Sequence, residues 1–171
     1  LERLRERYQP VVYGPTNPAV KGIDHRVAAG DVVQVFGEDF SVMEVPGHTL
    51  DHIAYFHDAD IPLLFCGDTL FAGGCGRVFE GSPAMMHASL ESLAGLPGNT
   101  RIYCAHEYTL ANLAFARAVE PDNAALKQRI AEAEATRARN EPTVPSNLGL
   151  ELATNPFLRC AEPALLEALR S

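Results

Sequence analysis

The chain has 171 residues, 47% hydrophobic and 21% charged, a balance that suits a soluble globular fold with enough apolar surface for a core. Its formal net charge of -8 argues against a nucleic acid or an anionic membrane as the main partner, while leaving room for a small anion held by a few placed cations. The longest apolar run, near Ile61 to Cys66, is strand-sized rather than membrane-spanning, and no basic-then-apolar leader stands out, so a cytoplasmic monomer is expected.

In chain order, Leu1, Leu4 and Tyr8 share one face of a helix that nothing upstream caps, an unusual opening that suggests a fragment. Val11 to Tyr13 reads as a strand closed by Gly14 and Pro15. Asp31 to Phe36 and Phe40 to Val45 predict a hairpin across Gly37, Glu38 and Asp39. Ile53 to His57 and Pro62 to Cys66 predict a second pair. Ser82-Pro83 is a helix cap followed by Pro at the first helical position, opening a helix through about Ala94. Arg101 to Cys104 is a last short strand. Beyond it the chain turns helical, over Leu110 to Val119, Asn123 to Arg139 and Pro163 to Leu169. Two units follow, residues 1–108 of mixed α/β character and residues 109–171 of helical character.

Three stretches carry the chemistry. His48 in Pro46-Gly47-His48-Thr49, Asp68 in Gly67-Asp68-Thr69 and His106 in Ala105-His106-Glu107 each follow a predicted strand directly. Strand ends hold side chains rigidly at one rim of a sheet, and Gly47 and Gly67 permit the tight turns that aim them. Two imidazoles and a carboxylate suit zinc, with iron or manganese as alternatives. Each stretch alone is weak evidence, since a His after a strand is more often a surface residue and Gly-Asp-Thr is commonly a turn. Their shared placement is more specific. Cys66, Cys75, Cys104 and Cys160 show no C-x-x-C spacing and read as reduced thiols. His25, His57 and His87 are isolated, and Met85 and Met86 read as packing residues.

In this order, PGHT, CGDTLF and AHEYT match the later metal-binding motifs of the metallo-β-lactamase superfamily, and the flanking residues resemble its glyoxalase II (hydroxyacylglutathione hydrolase) family. Phe71 to Gly81 resembles that family's substrate loop; Asn112 to Pro121, Glu141 to Ser146 and Asn155 to Phe157 resemble its helical C-terminal part. The resemblance covers nearly the whole chain. It implies an αββα sandwich, incomplete here for want of its N-terminal strands, with a C-terminal α-helical domain. It also implies two divalent metal ions, with His48 on the first, His106 on the second and Asp68 bridging both. A hydroxide held between the metals would attack a glutathione thioester, S-D-lactoylglutathione, to give D-lactate and glutathione. Arg77, Phe79 and Tyr108 match substrate-binding positions, with Phe79 standing where eukaryotic members have Tyr. His52 falls where the family often carries a His that is not a ligand.

The family's H-x-H-x-D-H motif, which supplies four further ligands, does not occur in the sequence, and the chain ends at Arg170-Ser171 before any clear counterpart of the family's basic C-terminal cluster. The expectation is therefore weak metal binding and little activity from these residues alone. Two other readings follow from the same residues: a relative using one iron to oxidise glutathione persulfide, and a fragment that binds glutathione conjugates without turnover.

Overall fold

The computed structural model describes residues 2–168; Leu1, the expected helix end at Leu169, and Arg170-Ser171 lie outside them. The opening helix α1 (Glu2–Tyr8) forms but buries none of its residues, and Leu4 and Tyr8 of its apolar face stand exposed. Its anchor is polar instead, with both terminal nitrogens of Arg5 donating to the Asp24 carboxylate. The first strand falls later than the apolar run suggests. It is β1 (Tyr13–Pro15), because its partner β2 (His25–Val27) pairs with it in parallel from Tyr13 onward, a non-local pairing that no local pattern announces.

β3 (Val32–Val35) and β4 (Glu38–Glu44) make the expected hairpin, but its loop is the two residues Phe36 and Gly37, not the three at 37–39. Both have positive φ, +54° and +86°, the turn whose twist matches that of the flanking strands. β5 (Ile53–His57), β6 (Leu63–Gly67), the short hairpin β7 (Leu70–Phe71) and β8 (Gly74–Cys75), α2 (Pro83–Ala94) and β9 (Arg101–Cys104) follow. The Ser82 side chain caps α2 by accepting from Met85 N, with Pro83 in the first turn.

Next come α3 (Thr109–Val119), α4 (Ala124–Ala138), β10 (Ser146–Asn147), α5 (Leu148–Thr154), a 3-10 turn (Pro156–Leu158) and α6 (Pro163–Ala168). β10 and α5 were not expected. β10 pairs antiparallel with β9 and completes a six-stranded sheet of order β10-β9-β6-β5-β4-β3.

Alternation along the strands sorts the two faces of this sheet. On one, Ala54, Leu64, Cys66 and Ile102 pack beneath Met86, Leu90 and Leu93 of α2, and Leu148 of α5 joins the same core. Val33 and Val42 on the other face form a smaller cluster with Val27. Farther along that face runs an aromatic row. The Phe65 and Tyr103 rings stack at 4.9 Å, Phe40 lies 6.0 Å from Phe65, and Phe65 is 41% exposed. α3 and α4 have a cluster of their own in Leu113, Ala116, Leu126 and Ala133. The four cysteines are free thiols.

The pairing directions position the chemistry. β6 runs parallel to β9, while β4 to β5 and β5 to β6 are antiparallel steps, so β4, β6 and β9 all point the same way. The segments that follow these three strands therefore meet at one rim.

Candidate metal centre

His48, Asp68 and His106 come together at that rim around a cavity of about 720 Å³, which Arg77, Phe79 and Tyr108 also line. The turns into it depend on glycine. Gly67 has φ +54°, and a Cβ there would lie 2.6 Å from His52 Nε2; a Cβ on Gly47 (φ +152°) would meet the α2 backbone at Met86, 2.8 Å away. Ala105 N donates to Gly67 O at 3.0 Å and locks the ends of β9 and β6 together.

Asp68 turns one oxygen toward each imidazole. Its Oδ1 lies 3.3 Å from His106 Nε2 and its Oδ2 lies 3.9 Å from His48 Nε2, both longer than a good hydrogen bond. Two donors sharing a cation at about 2.1 Å each sit about 3.0–3.5 Å apart at ordinary ligand angles, so the closer pair has the spacing of co-ligands and the other is slightly open. Among the described residues no group of three or more His, Cys, Asp or Glu side chains could hold one metal ion. The donors thus fit divalent cations in kind. In number they offer one nitrogen and one oxygen on each side of Asp68, fewer than the three or four that zinc takes.

Neighbouring atoms fix the histidine roles. His48 Nδ1 lies 2.9 Å from Arg77 O, and a carbonyl only accepts, so Nδ1 carries a proton and Nε2 is the ring nitrogen on the Asp68 side that could ligate. His52 is committed elsewhere. Asp68 N donates to its Nε2 at 3.0 Å, and burial followed by the neighbouring His48 pulls its pKa below the usual imidazole range. It remains neutral and holds the Asp68 backbone.

Around these residues the walls are aromatic. Tyr108 stacks on His106 at 4.8 Å, Phe71 meets Tyr108 edge-on at 5.5 Å, and Phe79 sits 4.9 Å from His48. Arg77 is exposed, and among the described residues its guanidinium has no hydrogen-bond or ion-pair partner. Glu107 is turned away from the cavity and ties the rim to the helical stretch, accepting from Thr143 N at 2.8 Å and from Thr143 Oγ1 at 2.6 Å. Phe71, at the head of the stretch resembling the substrate loop, and Asn112, where a family-like helical stretch begins, also line the cavity, though neither was singled out as a site residue. A further signal for Asn112 was its place inside a helix, where Asn is disfavoured unless its side chain has a task.

Residues 2–106 match the family model described as metallo-beta-lactamase superfamily, and residues 107–171 match that described as hydroxyacylglutathione hydrolase C-terminus. The chain belongs to the metallo-β-lactamase superfamily. Membership implies divalent-metal binding. Within the superfamily, the chain is 57% identical over 162 residues to the hydroxyacylglutathione hydrolase of Pseudomonas aeruginosa (strain LESB58), covering 95% of this chain and 63% of that one. It is 54% identical over 165 residues to the enzyme of the same name from Dechloromonas aromatica (strain RCB), covering 96% of this chain and 61% of the other. The chain thus spans less than two thirds of these curated relatives.

Solved structures share the fold. A metallo-beta-lactamase from Staphylococcus aureus subsp. aureus COL superposes with a TM-score of 0.64 at 21% identity, over 98% of this chain and 45% of that one. ETHE1 from Myxococcus xanthus gives 0.58 at 28% identity, over 94% and 71%. No helix among the described residues is long and apolar enough to cross a membrane.

Proposed function

We propose that this chain carries the substrate face and part of the metal donors of a hydrolase that cleaves 2-hydroxyacyl-glutathione thioesters, with S-D-lactoylglutathione as substrate. The observation that carries this reading is Asp68, set between two imidazoles in a cavity that also presents an uncommitted guanidinium. The names of the curated relatives point to the same substrate class.

His48 and His106 would hold one divalent ion each, with Asp68 spanning the two; zinc suits these donors best and iron or manganese are compatible. When bound, such ions polarise a carbonyl and bring the pKa of water near neutral. The chain's own residues supply orientation. The Arg77 guanidinium is matched to a glutathione carboxylate, and the Tyr108 hydroxyl to a peptide group of the same moiety. Phe71 and Phe79 give the acyl end an apolar wall from which water is partly excluded. His52 keeps Asp68 aimed through its backbone. Burial pushes the Cys75 thiol up to about 12, so it stays protonated near neutral pH. Glutathione departs as a thiolate of ordinary thiol pKa, about 8.5, and needs no general acid.

The test is thiol release from S-D-lactoylglutathione at saturating zinc. Slow, zinc-dependent release that Asp68→Asn abolishes is expected. No zinc-dependent release from the unaltered chain would overturn the reading, and oxygen uptake with sulfite from a glutathione persulfide would favour the one-iron alternative.

A further inference from the structure

The β7–β8 hairpin contributes Phe71 and Cys75 to the cavity wall, and Phe71, Ala72, Gly73 and Gly74 are all buried. A buried turn holds its main-chain groups away from water, so each needs a partner inside the protein. Those partners are side chains of the helical stretch. Asn112 Nδ2 donates to Ala72 O at 3.1 Å, and Asn155 Nδ2 donates to Phe71 O at 3.2 Å and Gly74 O at 3.0 Å. Gly73 N donates to Glu151 Oε2 at 2.9 Å.

Glu151 and Asn155 are themselves fixed. Both are fully buried. The Glu151 carboxylate receives both terminal nitrogens of the buried Arg129, the Ser146 hydroxyl and, at 3.0 Å, Asn155 Nδ2. Arg129 also donates to Thr154 Oγ1 at 2.6 Å. Joining α4 to α5 would need only the ion pair. The bonds to the turn cross 78 and 84 residues of sequence and end on the hairpin that supplies Phe71 and Cys75 to the cavity wall.

We propose that Glu151 and Asn155, anchored by Arg129, are positioning residues that hold the β7–β8 turn, and with it Phe71, Cys75 and Arg77, in register with Asp68 and His106. What the turn is held for rests on the thioester reading; that it is held does not. Asn155→Ala removes the clamp on two carbonyls together with one bond to Glu151 and the cap on Phe157 N, and keeps both members of the Arg129–Glu151 pair. Leu126→Ala weakens the α3–α4 cluster and is the control for general destabilisation.

The experiment alkylates the folded chain with N-ethylmaleimide and reads Cys75 against the exposed Cys160 by peptide mass. Asn155→Ala is expected to speed Cys75 labelling about tenfold relative to Cys160, as local opening would. Leu126→Ala should leave the ratio within about twofold. An unchanged ratio in Asn155→Ala, or an equal rise in Leu126→Ala, overturns the proposal. If Asn155→Ala does not fold, Asn112→Ala, which frees only Ala72 O, must raise the ratio, and failure to do so overturns it equally. Labelling needs neither metal nor turnover, so absence of hydrolysis would remove the thioester reading without deciding this one. In hydrolysing protein, Asn155→Ala should raise KM more than it lowers kcat.

Discussion

The main-chain N–H of Asp68 donates to His52 Nε2 at 3.0 Å, so an imidazole outside the cavity lining holds the residue that sits between two others. His52→Ala leaves that N–H without a partner, at a cost of about 1–3 kcal/mol in stability. It should also weaken zinc binding about 10–100-fold, the usual loss when the support of a ligand is removed. Thermal melting and a zinc titration check both parts; unchanged zinc affinity would deny His52 a positioning role.

Zinc itself should bind these 171 residues weakly. Each side of Asp68 offers two donors, half of a tetrahedral set, and the affinity expected is weaker than about 1 μM. Asp68→Asn removes a carboxylate oxygen common to both sides and should abolish what binding there is. Calorimetry showing two zinc ions bound at nanomolar affinity would contradict this.

Arg77→Ala should spare the fold, because the side chain is exposed and unpaired among the described residues. A charged hydrogen bond is worth about 1.5–3 kcal/mol, so the Kd for a glutathione conjugate should rise about 10–100-fold, with Arg77→Lys falling between. Phe79→Tyr adds a hydroxyl at the same wall and should tighten binding by about threefold, toward the lower end of a net hydrogen bond. Both are read by titration with S-D-lactoylglutathione.

Acid should loosen the first 26 residues before the core. Arg5 holds the Asp24 carboxyl below the usual range, helped by Val12 N. Asp51 is also lowered: burial pushes it up, and hydrogen bonds from Asn17 and Thr49 outweigh that. Both carboxyls are depressed on folding, so their stabilisation is present above the unfolded value of about 3.9 and is lost as pH falls through the lower folded values. The Val12 amide and the Asn17 side-chain amide should titrate in NMR with midpoints below about 3.9. Midpoints at or above that value would overturn the assignment.

The rim was legible because three short β-rich runs each end on a motif with a candidate ligand, and direction along a strand is local information. Ser82-Pro83 was legible for the same reason: its cap and ring act within one turn. The rest depends on partners far away in sequence. β10 is two residues long, too short for any period, and Gly149 blurs the start of α5. Gly74-Cys75 carries no strand signal and becomes β8 only against Leu70-Phe71. Asn155 stands out only as part of the family-like stretch Asn155 to Phe157, and nothing in the neighbours of Glu151 reveals that an arginine 22 residues away pairs with it in the interior.

β10 carries a further consequence for how such proteins can be recombined. Asn147 and Ser146 complete the edge of β9, and Leu148 N and Gly149 N bond Thr100 O and Gly98 O at 3.0 and 2.8 Å. A graft that exchanged the helical third between relatives would therefore exchange an edge strand of the sheet as well. The recipient's residues 98–102 would have to accept the donor's backbone register. A chain cut after residue 108 would expose an open strand edge, the kind of surface on which chains aggregate.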